Sequence, residues 1–298
     1  MAGPKVFLDY DQEALDRAFD QRAYASNFEQ VVARQRVRCE EATSKLGQPL
    51  RFAYGPTSPE KLEVFKANVI DAPIVVFVHG GAWRGGSAEG SSHSAELFVA
   101  AGAHYVALDF VPVQDAGGSL FPMIEQVRRG IAWVYENARQ FDGDPDRIYL
   151  VGHSSGAHLG GCALITEWEK DYDVPADVIK GAVLASGMYD LYPVSLSARG
   201  NYVNFTPELI DALSAQRHVD QLKTPLTLVY GSLETPEFQR QSREFFEAAQ
   251  AAGKDVELRV AESYNHFEVL ETLSSPFGVM GRAALDRFGV KFGESAIK

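Results

Sequence analysis

A serine set among small residues, where an apolar run gives way to a helix-favouring one, can serve as a nucleophile if the turn holds its hydroxyl clear of the backbone. The stretch IYLVGHSSGAHLGG, residues 148–161, contains such a serine. Residues 148–151 read as a short buried strand and 157–165 as a helix rich in small side chains. The joint, Gly152-His153-Ser154-Ser155-Gly156, has the form G-x-S-x-G, in which the glycines make room for a strand-to-helix turn tight enough to strain the serine itself. Backbone strain of that kind is concentrated at working residues. An unassisted hydroxyl is a poor nucleophile near neutral pH, so the pattern calls for a base, an acid to orient the base, and donors for a developing oxyanion.

Each of these has a candidate at a strand end. Where such a turn carries a nucleophile, the acid and then the histidine usually follow it in the chain. Of the seven histidines, only His158, His218 and His266 come after Ser154. His158 falls in the helix behind the turn and His218 in a polar insertion, whereas His266, in AESYNHFEVLE, lies just past a strand ending near residue 260. It is the expected base. The acid is expected after the run 226–230, in YGSLETPEF, where Glu234 sits in the loop and Glu237 opens the next helix as a first-turn charge. Glu234 is preferred, Glu237 is second and Asp190 a distant third. The loop VFVHGGAWRGG follows the run 74–78, and its bare glycines would let backbone N–H groups of Gly80, Gly81 or Ala82, with that of Ser155, approach a substrate oxygen. His79 reads as a brace for that loop.

Composition narrows the remaining possibilities. With 298 residues, 46% hydrophobic and 11% aromatic, the chain can bury a substantial core, and its formal charge of -12 disfavours nucleic acid or an anionic membrane surface as partner. Cys39 and Cys162 lie far apart in helical segments, suggesting neither a disulfide framework nor a zinc site, and no long apolar run follows the start MAGPKVFLDYDQEALDRAF. Cytoplasmic residence is expected. No glycine-rich stretch has the order needed to cradle phosphate or a dinucleotide, and no histidine pair has a third ligand at metal spacing, so neither cofactor nor metal is implied. The expected partner is a small molecule, with a homodimer left open. Trp83, Phe110, Tyr189, Tyr192 and Tyr202, near strand ends or in the insertion, are the aromatic residues expected at a substrate pocket, where an aromatic ligand, if there is one, would stack.

These residues need a scaffold that brings strand ends together. Residues 1–46 are charged and helix-favouring, an N-terminal helical arm, and LRFAYG and KLEVFKA flank PTSPE as an antiparallel hairpin. Short apolar runs at 74–78, 105–109, 148–151, 181–184, 226–230 and 256–260 then alternate with helical stretches such as 121–141 and 237–252. That alternation predicts an α/β fold with a mostly parallel central sheet and helices on both faces. Residues 186–220 break the rhythm and read as a small inserted cap, and the whole, 1–298, as one domain.

With these pieces in place the chain resembles the kynurenine formamidase (arylformamidase) group of α/β-hydrolases and its bacterial esterase-like relatives. The likeness runs through LDRAFDQRAYASNFEQVVARQRVRCEEA, AYGPTSPEKLEVF, HGGAWRGG, the helix and turn IEQVRRGIAWVYENARQFDGDPDRIYLVGHSSGAHLGG, SGMYDLYP with FTPEL, and ETPEFQRQS. It implies Ser154 as nucleophile, His266 as base and Glu234 as acid. Two positions depart from the group: Glu234 stands where it usually has aspartate, and Ala82 where it usually has the tyrosine of HGGYW, as in carboxylesterases of the hormone-sensitive lipase kind. The resemblance implies a serine hydrolase of an aryl formamide or amide such as N-formylkynurenine, working through an acyl-enzyme. A carboxylesterase for short acyl or aryl esters is the alternative, and a small-molecule receptor with little turnover is a third.

Overall fold

The computed structural model describes residues 3–290. Eight strands form one sheet: β1 (Leu50–Ala53), β2 (Lys61–Phe65), β3 (Ala72–Val78), β4 (His104–Leu108), β5 (Gly143–His153), β6 (Ile179–Ala185), β7 (Leu226–Gly231) and β8 (Val256–Ala261). Their order across the sheet is β1-β2-β4-β3-β5-β6-β7-β8. The β1–β2 and β2–β4 pairings are antiparallel and all others parallel. Every residue of β3 is buried, as a strand covered on both faces requires.

Side chains alternate across that strand and so divide the core in two. Ile74, Val76 and Val78 pack with Ile124, Val127 and Ile131 of the helix Phe121–Asn137, with Leu159 and with Phe238. Val75 and Phe77 pack on the other face with Phe98, Met280 and Phe288, the last two from the helix Val279–Phe288. The chain passes from β4 back across β3 to β5, which makes the gap above the carboxyl ends of β3 and β5 a topological switch point, the usual place for a ligand in an open α/β sheet.

The arm is not one continuous helix. It comprises the helix Gln12–Ala18, a 3-10 turn Gln21–Tyr24 and the helix Phe28–Leu46. The break occurs where Phe19 caps the first helix and the Asp20 carboxylate accepts from the Arg22 N–H to start the turn. The long helix buries only Val31, Cys39 and Ala42. It is held largely by polar ties, including the two-pronged pair of Arg34 with Glu271 at 2.9 and 2.8 Å. Residues 186–220 carry the short helices Leu191–Ser195 and Pro207–Ala212 with 3-10 turns between and after them. Among the described residues, no helix is long and apolar enough to cross a membrane.

Candidate active site

β5 runs directly into the helix Ser155–Leu164, and Ser154 between them adopts φ 58°, ψ -126°, a left-handed backbone that an L-residue enters only under strain. The flanking glycines are sterically required. A Cβ on Gly152 would lie 2.6 Å from the Gly156 carbonyl oxygen, and one on Gly156 would lie 2.0 Å from that of Val78. The helix therefore starts hard against β3, and the Ser154 hydroxyl is left above the sheet edge, where the chain ends of β6, β7 and β8 converge.

The Ser154 Oγ lies 2.8 Å from His266 Nε2, and His266 Nδ1 lies 2.8 Å from Glu234 Oε2. All three residues are buried. Glu234 reaches His266 by folding its side chain along its own loop: its Oε1 accepts from the Gly231 N–H at 2.7 Å and the Ser186 hydroxyl at 2.5 Å, leaving Oε2 for the imidazole. Ser186, itself at φ 56°, follows the last residue of β6 and donates its hydroxyl to that carboxylate. His266 is not in a loop but opens the helix His266–Glu271. There Asn265 and Glu268 form a capping box that fixes its backbone. Glu237 is buried in a pair with Arg240, and Asp190 caps the helix Leu191–Ser195 while pairing with Arg217. Both are structural. His218 bonds the Asp211 carbonyl away from the site.

The loop after β3 curls tightly over the serine. A Cβ on Gly81 would sit 2.2 Å from the Gly85 carbonyl oxygen, and one on Gly80 3.0 Å from Ser154 Cβ. Gly81, Ala82 and Trp83 all have positive φ, at 119°, 55° and 62°. This strain is held from below. The Trp83 N–H donates to the Ser155 hydroxyl at 3.2 Å, and Trp83 Nε1–H donates to His158 Nδ1 at 3.1 Å, while His158 Nε2–H donates to the Leu213 carbonyl. That network needs a neutral imidazole, and burial pushes the His158 pKa down to about 4. The Gly81 and Ala82 N–H groups have no protein acceptor among the described residues. His79 Nδ1–H donates to the Gly80 carbonyl, bracing the loop, and its ring stacks on Phe110 at 4.3 Å. His153 donates from Nε2 to the His266 carbonyl, and burial beside His266 holds its pKa well below the usual imidazole value.

A cavity of about 900 Å³ opens above Ser154 and His266. None of the five expected aromatics lines it. Trp83 is turned beneath the loop onto His158, Phe110 lies under His79, and Tyr189 is packed in the core against Phe245. Tyr192 is on the surface beside Phe7, and Tyr202 lines a smaller neighbouring cavity with its hydroxyl on Arg199. Trp83, Phe110 and Tyr189 are buried in the packing beneath the loops that carry them, whereas Tyr192 and Tyr202 lie outside the cavity. The cavity is walled instead by Phe19, Arg22, Phe28 and Val32 of the arm, by Phe267 and Leu270 beyond the histidine, and by Arg84. Of the cap, only Arg199 reaches it. The arm's role was hidden in the sequence because its apolar spacing is too irregular to mark an inward face. Among the described residues, no group of three or more His, Cys, Asp or Glu could hold a metal.

Comparison with known proteins agrees with this architecture. The BD-FAE family model matches residues 64–248. The kynurenine formamidase of Danio rerio is 33% identical over 241 residues, covering 78% of this chain and 80% of that protein. The isoprenylcysteine alpha-carbonyl methylesterase ICME of Arabidopsis thaliana is 27% identical over 241 residues, covering 73% of this chain and 56% of that one. A solved structure from Silicibacter sp. TM1040 shares the fold with a TM-score of 0.78 at 23% identity, covering 93% of this chain and 98% of its own. The chain belongs to the BD-FAE family and is an α/β-hydrolase of the kynurenine formamidase-like group.

Proposed function

We propose that this hydrolase cleaves an aryl formamide or amide of the N-formylkynurenine type through an acyl-enzyme on Ser154. The observation that carries the reading is the unbroken chain of 2.8 Å contacts from Ser154 through His266 to Glu234, opening into a cavity with aromatic walls. His266 Nε2 takes the Ser154 proton as Oγ attacks the formyl carbon. Glu234 holds the Nδ1–H tautomer and stabilises the imidazolium. The oxyanion is received by N–H groups of Gly80, Gly81 or Ala82 with that of Ser155, the unsatisfied donors at Gly81 and Ala82 supporting this. His266 then protonates the departing aniline nitrogen, and the same imidazole activates water to release formate.

The walls support an aromatic substrate that also bears a carboxylate. Phe19, Phe28 and Phe267 line the cavity, as do Arg22, Arg84 and Arg199, which make no ion pair among the described residues. The Arg199 Nε is buried with no acceptor. The relative named kynurenine formamidase favours the formamide. Ala82, a methyl beside the oxyanion loop, favours a second reading, an esterase with room for larger acyl groups. Turnover of N-formylkynurenine beside p-nitrophenyl acetate, with wild type and Ser154→Ala, separates them: a higher kcat/KM for the formamide, abolished in the variant, is expected. A live Ser154→Ala enzyme refutes the mechanism, and an ester-only enzyme refutes the substrate. We also read residues 1–298 as one catalytic unit, and the buried, unpaired Cys39 and Cys162 as support for a reducing, cytoplasmic setting.

A further inference from the structure

We propose that Gln21, in the N-terminal arm, is a positioning residue of the reaction, fixing the carboxylate of Glu234 against His266. The inference rests on the hydrolase reading above. Gln21 Nε2 donates to Glu234 Oε2 at 3.0 Å, the same oxygen that His266 Nδ1 approaches at 2.8 Å, and both partners are buried. The amide cannot be turned the other way. Its Oε1 accepts from the Thr235 N–H at 3.3 Å, so a flip would set oxygen against carboxylate and N–H against N–H.

A glutamate needs this restraint more than an aspartate does. Its extra methylene adds a torsion, and rotation of its terminal carboxylate is broad rather than confined to sharp wells. Gly231 and Ser186 hold Oε1. Gln21 holds Oε2 from the far side, so the plane of the carboxylate is set by three donors before the imidazole is counted.

Gln21 is itself held in place. The Phe19 carbonyl accepts from Arg199 at 3.0 Å, the Phe19 ring meets Phe238 edge-on, and Asp20 caps the turn that Gln21 begins. Further along the arm, Asn27 donates to Glu268 at 2.6 Å and accepts from Asn265 at 2.8 Å, gripping the capping box that opens the helix of His266. The arm thus touches the acid directly and the base through its cap. Phe19, Asp20, Gln21 and Arg22 all line the cavity, so one short turn both walls the substrate site and braces the acid; a small ester that need not fill that wall is therefore the substrate for the test.

The test compares Gln21→Met, close in shape but without a donor, and Gln21→Glu, close in shape but presenting an acceptor to Glu234. Turnover of p-nitrophenyl acetate is measured per active site, counted by exhaustive titration with a chromogenic organophosphate, so a partly unfolded preparation does not distort the rate. The Met variant should lose about tenfold in kcat and the Glu variant more, with KM for this small ester within about twofold of wild type. A purely structural role would alter the number of titratable sites or KM and leave kcat per site unchanged, and that result overturns the proposal. Ser154→Ala is assayed alongside. If it is dead while both Gln21 variants match wild type, only the positioning role falls; if it turns over, the hydrolase mechanism falls with it.

Discussion

Shortening the acid by one methylene should cripple this enzyme even though it restores the residue usual in its group. In Glu234→Asp the carboxylate withdraws by about one C–C bond, roughly 1.5 Å. Oε1 is tied to the Gly231 N–H of the same loop, at 2.7 Å, so the loop cannot follow the shorter side chain toward His266 without giving up that bond. The 2.8 Å contact with His266 Nδ1 would therefore open to about 4 Å, beyond hydrogen bonding. A hydrogen bond to a charged group contributes about 1.5–3 kcal/mol, which as lost transition-state stabilisation is about 10- to 150-fold in kcat. Glu234→Gln keeps the length and should be worse. With its oxygen retained by Gly231 and Ser186, its NH2 would face donors on both Gln21 and His266, forcing the imidazole into the tautomer that cannot accept the Ser154 proton. The analogous change in a serine protease triad lowers kcat by about 10⁴. Steady-state kinetics on p-nitrophenyl acetate, with rates per titrated site, gives the ranking. An Asp variant within threefold of wild type, or a Gln variant faster than the Asp variant, would refute the reasoning.

Removing the indole N–H in Trp83→Phe leaves His158 Nδ1 buried without its donor, and chemical denaturation should show a loss of about 1–3 kcal/mol. Burial holds His93 and His158 each at a pKa of about 4, below the unfolded value of 6.5. The unfolded chain therefore binds more protons between pH 6.5 and 4. Stability should fall as pH drops through that window and level off below it, the pair contributing about 4 kcal/mol of loss between pH 7 and 5 in urea titrations at the two values. Arg199→Leu, which also releases the Phe19 carbonyl, should raise KM for an aryl substrate bearing a carboxylate about tenfold more than it raises KM for the matched neutral aryl ester, a difference of about 1.4 kcal/mol that paired kinetics would show.

The sheet was legible because its strands obey simple patterns. Runs such as IVVFV carry the continuous apolar signature of a strand covered on both faces, and β3 is buried throughout. The residues now found in one hydrogen-bonded chain, Ser154, Glu234 and His266, could be named because each follows a recognisable strand, and strand ends in a parallel sheet meet at one edge. The walls of the cavity could not be named that way. Phe28 and Val32 reach it from a helix of the arm, and nothing in local pattern says which face of a mostly polar helix will cover Ser154, Glu234 and His266, 120 or more positions later. Conversely, Trp83 and Tyr189 looked like ring platforms because of where they fall in the chain. The Trp83 indole is instead consumed in holding up a strained loop, and Tyr189 in stacking on Phe245. Gln21 carried no signal at all, since its partner, Glu234, lies 213 residues away.

That separation also sets when the molecule can begin to work. The acid meets the amide of Gln21 only after 213 further residues have been made, and the imidazole is later still. At about 5–20 residues per second, the first element of the site waits on the order of 10–40 s for the others. A nascent chain holding the strained serine turn but lacking residue 266 would have an elbow with no base to activate it. Under the proposed mechanism hydrolysis therefore waits on chain order, and turnover starts only when the arm and the segment around His266 have closed over the sheet.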